Sequence, residues 1–344
     1  MKVDRERLEE LADRPLFYKG RFRNLERTPA HGLREFLRWQ RDPQRSFPKP
    51  QRFPVQAPDT ARLNEPAKSP RLTWLGHASF LFRYRDLNLL TDPVLSERAS
   101  PLSFAGPKRT TPAALRVDEL PVIHRVLISH NHYDHLDEPT VRALHRRFGD
   151  TIRWFVPLGL ADWFRRRGIR NVREMGWWQQ CPEQGHEVFC VPAQHFSGRG
   201  LRDRNSTLWC GWILDCGGFS LYFAGDTGYG GCFAEIGHIF RDIDLALLPI
   251  GAYEPRWFMA PVHVTPEEAV AIHVDVRARQ SVAMHWGTFV LTDEPMDEPP
   301  RRLREALERR NLPADEFRVL EHGETMEFET SVPETAKPGT GRSG

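Results

Sequence analysis

Three imidazoles and one carboxylate fall within the six residues His130-Asn131-His132-Tyr133-Asp134-His135. Nitrogen and oxygen ligands crowded this tightly suit a zinc-type metal ion, and few other demands bring them together. The run 126–129 before the cluster reads as a buried strand. Asp137-Glu138-Pro139 after it reads as a helix entry, with Asp as N-cap and Pro in the first turn. The cluster therefore sits on a strand-to-helix loop, where rigid flanking elements can hold chemistry in place.

Other apolar, strand-like runs also end on a ligand type, at Gln194-His195-Phe196-Ser197, Gly225-Asp226-Thr227-Gly228-Tyr229, Val262-His263-Val264 and Met284-His285-Trp286-Gly287-Thr288. In a layered α/β architecture such strand ends converge on one edge. His130, His132, Asp134, His135, His195, Asp226 and His285 are then expected to meet. Five imidazoles and two carboxylates exceed the roughly four ligands of one tetrahedral zinc. They suffice for two ions if a carboxylate bridges. Two metals about 3.5–4 Å apart would generate hydroxide near neutral pH and clamp a phosphoryl oxygen during in-line displacement. Taken singly, His195 reads equally as a strand-end histidine, and Asp226 as the organiser of the Gly225–Gly231 turn; the cluster at 130–135 lends both their weight.

The elements that must position these residues can be read from the same chain. Strands are expected over 72–75, 79–84 and 87–91, with Asp92-Pro93 as a turn. After the cluster come a helix over 138–148, a strand over 153–156, a helix over 158–167 and a strand over 187–192. The second half repeats the pattern with strands at 208–214, 220–224 and 245–249, a helix over 266–274 and a strand at 281–284. A last helix over 300–310 and short strands near 317–320 and 326–329 close the chain. Two such halves suggest two sheets packed face to face with helices outside. Residues 1–69 form a basic, aromatic N-terminal arm with an amphipathic helix over 33–40, residues 70–330 a catalytic domain, and residues 331–344 a polar, disordered tail.

Composition sets outer limits. The 344 residues are 40% hydrophobic and carry a net charge of +2. Residues 1–70 hold 16 Lys or Arg against 10 Asp or Glu, which leaves −4 for the remainder, so the basic character belongs to the arm. Its Phe17, Tyr18, Phe22, Phe36, Trp39, Phe47 and Phe53 suit either a strap over the core or an anionic membrane surface. No stretch approaches the roughly 18 apolar residues that cross a bilayer, and no secretory signal is visible. Five cysteines without a CxxC spacing argue for reduced, buried thiols. A cytoplasmic protein with peripheral membrane contact is expected, with no nucleic-acid partner and with homodimerisation left open.

The pattern HxHxDH, lone His, AGD, late His resembles the metallo-β-lactamase fold superfamily. The likeness extends to Trp74-Leu75-Gly76-His77-Ala78-Ser79, to Ile128 through Asp137, to Arg153-Trp154-Phe155-Val156-Pro157-Leu158-Gly159, to Ala224-Gly225-Asp226-Thr227-Gly228-Tyr229, to Gly251-Ala252-Tyr253-Glu254-Pro255-Arg256-Trp257-Phe258-Met259 and to His285-Trp286-Gly287-Thr288-Phe289. Together these resemble the N-acylphosphatidylethanolamine-hydrolysing phospholipase D family over about residues 70–325. The resemblance implies an αβ/βα four-layer sandwich of two mixed sheets. It implies that His130, His132 and His195 hold one zinc, that Asp134, His135 and His285 hold a second, and that Asp226 bridges; iron or manganese could substitute. His263 would face the phosphate, with Tyr253, Arg256 and Trp257 on the substrate side. His77 and Asp92 would brace ligands from behind.

The implied activity is hydrolysis of N-acylphosphatidylethanolamine-like lipids to N-acylethanolamine and phosphatidic acid by a metal-bridging hydroxide, with Asp134, Asp226 and His263 as its catalytic residues. Phe17, Tyr18, Phe22 and Trp39 would hold the protein against anionic lipid. The chain departs from the family at Phe196, where members usually carry Trp, and across the arm, which has little match. Two rivals are a binuclear hydrolase of a soluble phosphodiester or lactone and a lipid-binding scaffold without turnover. The complete ligand set weighs against the scaffold. A di-iron redox centre would usually replace the second His of HxH with Glu, and His132 is present.

Overall fold

Strands whose neighbouring side chains are apolar on both sides must be covered on both faces, and this chain builds two sheets of that kind. The computed structural model describes residues 1–14, 16–26, 31–200 and 202–330; the expected disordered tail, 331–344, lies outside them. Strands β1 (Ala67–Gly76), β2 (Ser79–Arg85), β3 (Leu87–Thr91), β4 (Arg125–Leu127), β5 (Arg153–Pro157) and β6 (Val172–Met175) form most of one sheet. Strands β7 (Gln180–Glu183), β8 (His186–Val191), β9 (Gly211–Asp215), β10 (Ser220–Phe223), β11 (Ile243–Pro249), β12 (Ala278–Met284) and β13 (Phe317–Arg318) form the other. A final strand, β14 (Thr325–Glu327), returns to pair with β1, so each sheet has seven strands.

Both sheets run through the same pairings. Three antiparallel contacts join β14-β1-β2-β3, and three parallel ones join β3-β4-β5-β6. The second sheet repeats this with β7-β8-β9-β10 antiparallel and β10-β11-β12-β13 parallel.

Side-chain alternation sorts the first sheet's residues into two layers. Trp74, Phe80, Phe82, Leu89, Leu127 and Phe155 join Val188, Trp212, Leu221, Leu245 and Val282 in the core between the sheets. Their chain neighbours Leu75, Leu81, Leu90, Val126, Ile128, Trp154 and Val156 join Leu144 and Phe164, from the helices Glu138–Phe148 and Ala161–Arg165, on the outer face. The helices Pro266–Asp275 and Glu298–Arg309 cover the second sheet through Val270, Ile272, Leu303 and Leu307. The expected four-layer α/β sandwich is what forms.

Differences in detail have local causes. The helix expected over 158–167 shrinks to Ala161–Arg165 because Gly159 turns the chain at φ +87°. The 208–214 strand starts only at Gly211, and the helix Cys232–Ile239 was not expected. Asp137 does occupy the N-cap of Glu138–Phe148, yet its carboxylate makes no bond to the helix amides and instead accepts from Ser96 Oγ at 2.8 Å and from the Thr140 hydroxyl.

The arm expected over residues 1–69 packs against the sheets. The first sheet already begins at Ala67, and Lys2–Val3 pairs antiparallel with Phe240–Arg241. The helix Arg5–Ala12, capped by Asp4, sends Leu8 and Leu11 into the main core. Two of the aromatics expected at the membrane are inside. Phe22 is only 6% exposed and Trp39 4%, and the Trp39 indole donates to Asp293 Oδ2 at 2.8 Å and stacks on Phe258. Phe17, Tyr18, Phe36, Leu37 and Phe47 remain exposed.

Candidate metal centre

Every candidate ligand lies just beyond the C-terminal end of a strand or in a strand turn. The 130–135 cluster follows β4, His195 follows β8, Asp226 follows β10 and His285 follows β12. His77 turns β1 into β2, and Asp92 follows β3. Three of these side chains sit on left-handed backbone, His77 at φ +55°, Asp92 at +28° and His285 at +62°. Such conformations cost a non-glycine residue energy and persist where surrounding contacts over-determine them. The Asp226 loop reaches the cluster only because residue 225 is glycine, since a Cβ there would stand 2.6 Å from Ser129 Cβ.

The seven expected ligands converge. His132 Nδ1 lies 2.8 Å from His130 Nε2 and 3.2 Å from His195 Nε2, so three ring nitrogens face one point. Beside it, Asp134 Oδ2 lies 3.6 Å from His135 Nε2 and 3.5 Å from His285 Nε2. Asp226 Oδ2 spans both groups. It is 3.1 Å from His135 Nε2 and 3.2 Å from His285 Nε2, and 3.9 Å from the Nε2 atoms of both His130 and His195.

A layer behind these atoms fixes how the rings point. His135 Nδ1 donates to Asp92 Oδ2 at 2.6 Å, and His195 Nδ1 donates to the Val262 carbonyl at 2.8 Å. Each bond occupies Nδ1 and turns Nε2 toward the centre, where it is the atom a metal would take. His130 Nδ1 meets Ser129 Oγ at 2.9 Å, and His77 Nε2 lies 3.1 Å from Asp134 Oδ2.

The donor set fits a pair of cations. Among the described residues, His135 Nε2, His285 Nε2 and Asp226 Oδ1 are buried without a hydrogen-bond partner, a costly condition unless something else satisfies them. Burial pushes His132 down to about 4 and His195 to about 3, and holds His130 well below its ordinary range, so all three are neutral. Burial opposes charge on His135 and His285 as well, but Asp226 and Asp134 outweigh it. They hold His135 well above its usual value and His285 at about 9. The carboxylates, though penalised by burial, are kept well below the usual range by the neighbouring imidazoles. Two negative charges thus face two imidazoles that carry protons, and a cation pair would take the place of those protons.

The centre opens into a cavity of about 590 Å³. Its walls include Phe36 and Trp39 from the arm, with Phe196, Phe258, Met259 and Leu291 from the domain. His263 lines it with its ring 5.1 Å from His195 and 5.4 Å from His285, and its buried Nδ1 has no partner. The other three residues expected on the substrate side do not line this cavity. Tyr253 is fully buried and donates its hydroxyl to Glu298 at 2.8 Å. Arg256 is engaged with Glu268 and donates to the His263 carbonyl at 2.8 Å, so it braces the histidine loop. Trp257 sits at the rim against Arg38 and His31. The polar groups of that motif are consumed by partners inside the chain, which the motif alone does not reveal.

Asn24 was missed altogether. Its carboxamide takes the His195 N–H at 3.1 Å and donates to the His195 carbonyl at 3.0 Å. No spacing rule links residue 24 to residue 195, and a lone Asn carries no signal.

The family described as the beta-lactamase superfamily domain matches residues 87–286. N-acyl-phosphatidylethanolamine-hydrolyzing phospholipase D 1 of Caenorhabditis elegans is 42% identical over 269 residues, 74% of this chain and 75% of that protein. An uncharacterised protein of Mycobacterium tuberculosis is 40% identical over 304 residues, 86% of this chain and 80% of its own. Among solved structures, the metallo hydrolase Igni18 of Ignicoccus hospitalis shares the fold with a TM-score of 0.58 at 23% identity, covering 76% of this chain and 99% of that one.

Proposed function

Because the chain belongs to the N-acylphosphatidylethanolamine-hydrolysing phospholipase D family of the β-lactamase superfamily and is a metal-dependent hydrolase, we propose that it is a zinc phosphodiesterase of phospholipase D type. Its substrate would be an N-acylphosphatidylethanolamine, and its products an N-acylethanolamine and phosphatidic acid. The observation that carries the reading is the convergence of seven ligand-type side chains, with orphaned buried nitrogens and a carboxylate oxygen, at the floor of an apolar cavity.

His130, His132 and His195 would hold one ion and Asp134, His135 and His285 the other, with Asp226 shared. A zinc pair bound there would supply an acidified water near neutral pH and neutralise phosphoryl charge. The chain's own residues do the rest. Asp92 and the Val262 carbonyl hold His135 and His195 in the ligating tautomer. His263, which burial lowers to about 3, is neutral and offers an N–H rather than a second charge to an oxygen that gains negative charge as the P–O bond breaks. Its backbone is held by the Met259 carbonyl at 2.8 Å and by Arg256, itself tied to Glu268 in the capping box of Pro266–Asp275. Phe36, Trp39, Phe258, Met259 and Leu291 would exclude water and take an acyl chain.

No helix among the described residues is long and apolar enough to cross a membrane. Exposed Phe36 and Leu37 beside Arg34, Arg38 and Arg41 support peripheral contact with an anionic membrane instead.

The test is turnover of N-acylphosphatidylethanolamine in detergent micelles by zinc-loaded protein. An inert, fully loaded wild type overturns the substrate assignment, and turnover of only a soluble phosphodiester establishes the soluble-substrate reading in its place. Full activity in Asp134→Asn would overturn the site.

A further inference from the structure

We propose that Asn24 is a positioning residue for the metal ligand His195, and that the N-terminal arm is thereby a working part of the metal centre. The inference rests on the metal-hydrolase reading above and goes beyond it by assigning a role to a segment outside the catalytic domain.

Strand β8 ends short of the metal centre. Its ladder stops at Val191, and His195, four residues on, lies beyond the reach of the sheet. The His195 N–H and carbonyl are buried with the residue and need partners. One side chain supplies both. Asn24 Oδ1 accepts from His195 N at 3.1 Å, and Asn24 Nδ2 donates to His195 O at 3.0 Å, so the carboxamide stands in for the missing strand. The same Oδ1 accepts from the Trp209 indole at 2.9 Å, which also donates to the Ala193 carbonyl at 3.0 Å. A backbone N–H and an indole N–H can only donate, which fixes which end of the carboxamide is oxygen. Together with the ring bond to Val262, His195 is held at its amide, its carbonyl and its Nδ1. Its Nε2 is thereby fixed toward His130 and His132.

Neighbouring arm contacts do a different job. Arg21 donates to the carbonyls of Arg204 and Arg202, and the Phe22 amide donates to the Asn205 carbonyl at 2.9 Å. Phe22, Leu8 and Leu11 bury the arm in the domain. These anchor the segment without touching a ligand. Anchoring and positioning are therefore carried by separate residues and can be separated by mutation.

The full-length chain, as wild type, Asn24→Ala, Asn24→Asp and Arg21→Ala, is stripped of metal and titrated with zinc against a competing chelator. Melting temperatures of the metal-free proteins, visible spectra after cobalt loading, and kcat and KM are recorded alongside. Asn24→Asp is nearly isosteric and keeps the acceptor, but it sets an oxygen against the His195 carbonyl. We expect both Asn24 variants to lose about 10–100-fold in affinity for one of two zinc equivalents. The cobalt spectrum of that ion should change and kcat should fall at constant KM. Arg21→Ala should retain both affinities. Wild-type zinc binding in the Asn24 variants overturns the assignment. So does equal loss in Arg21→Ala, or failure of both Asn24 variants to fold, since either outcome makes the role purely structural. A wild type that binds no zinc overturns the metal reading itself.

Discussion

At the scale of single residues, the centre is governed by charge balance. Replacing Asp92 with Asn keeps the shape but removes the anion that fixes the His135 tautomer. Asp92→Asn should weaken metal binding at the His135 side by about 10–100-fold, read by chelator competition. The pH dependence of loading follows from His285, whose pKa is raised from 6.5 to about 9 with the carboxylates outweighing burial. In the metal-free protein its pairing contributes stability in full below pH 6.5 and loses it as pH rises through about 9. A cation must displace that proton. Zinc affinity should therefore climb as pH rises through about 9, with proton release detectable by calorimetry in buffers of different ionisation enthalpy. The side chains that converge were legible in the sequence because four crowd into one loop and the rest end apolar runs. Tyr253 and Arg256 do not reach the cavity because polar groups in a motif can be spent on partners outside it, here Glu298 and Glu268.

At the scale of elements, the strand ends matter more than the strands. Gly225 holds φ +62°, and an added Cβ would press on Ser129 Cβ at 2.6 Å and the Cys210 carbonyl at 3.0 Å. Gly225→Ala should cost about 2–4 kcal/mol from left-handed strain and overlap combined. Denaturant unfolding should show the loss, together with poorer zinc retention, because the clash pushes the Asp226 loop off the His130 loop. Helices with clear apolar periodicity were readable from the sequence, as Leu33–Gln40 and Glu138–Phe148 show. Cys232–Ile239 was not, because Gly231 and Gly237 look like turn residues. Gly237 is there for contact instead: a Cβ would stand 2.0 Å from the Asp275 carbonyl oxygen.

At the scale of the whole molecule, the arm forms a wall of the cavity with Phe36 and Trp39 while turning Leu37 outward. Leu37→Glu, 38% exposed at that position and absent from the cavity lining, should reduce co-sedimentation with anionic vesicles several-fold. Turnover of micellar or soluble substrate should stay unchanged. Equal loss of both would show that the helix serves the cavity and not a membrane.

The repeated order of pairings in the two sheets divides the ligands as well as the strands. His130, His132, Asp134 and His135 come from the first sheet's loops, and His195, Asp226 and His285 from the second's. On the proposed assignment, neither half would own a complete coordination sphere for either ion. On that assignment a chain whose halves had not docked would have no site to load, and bound metal would rivet the chain across its own seam.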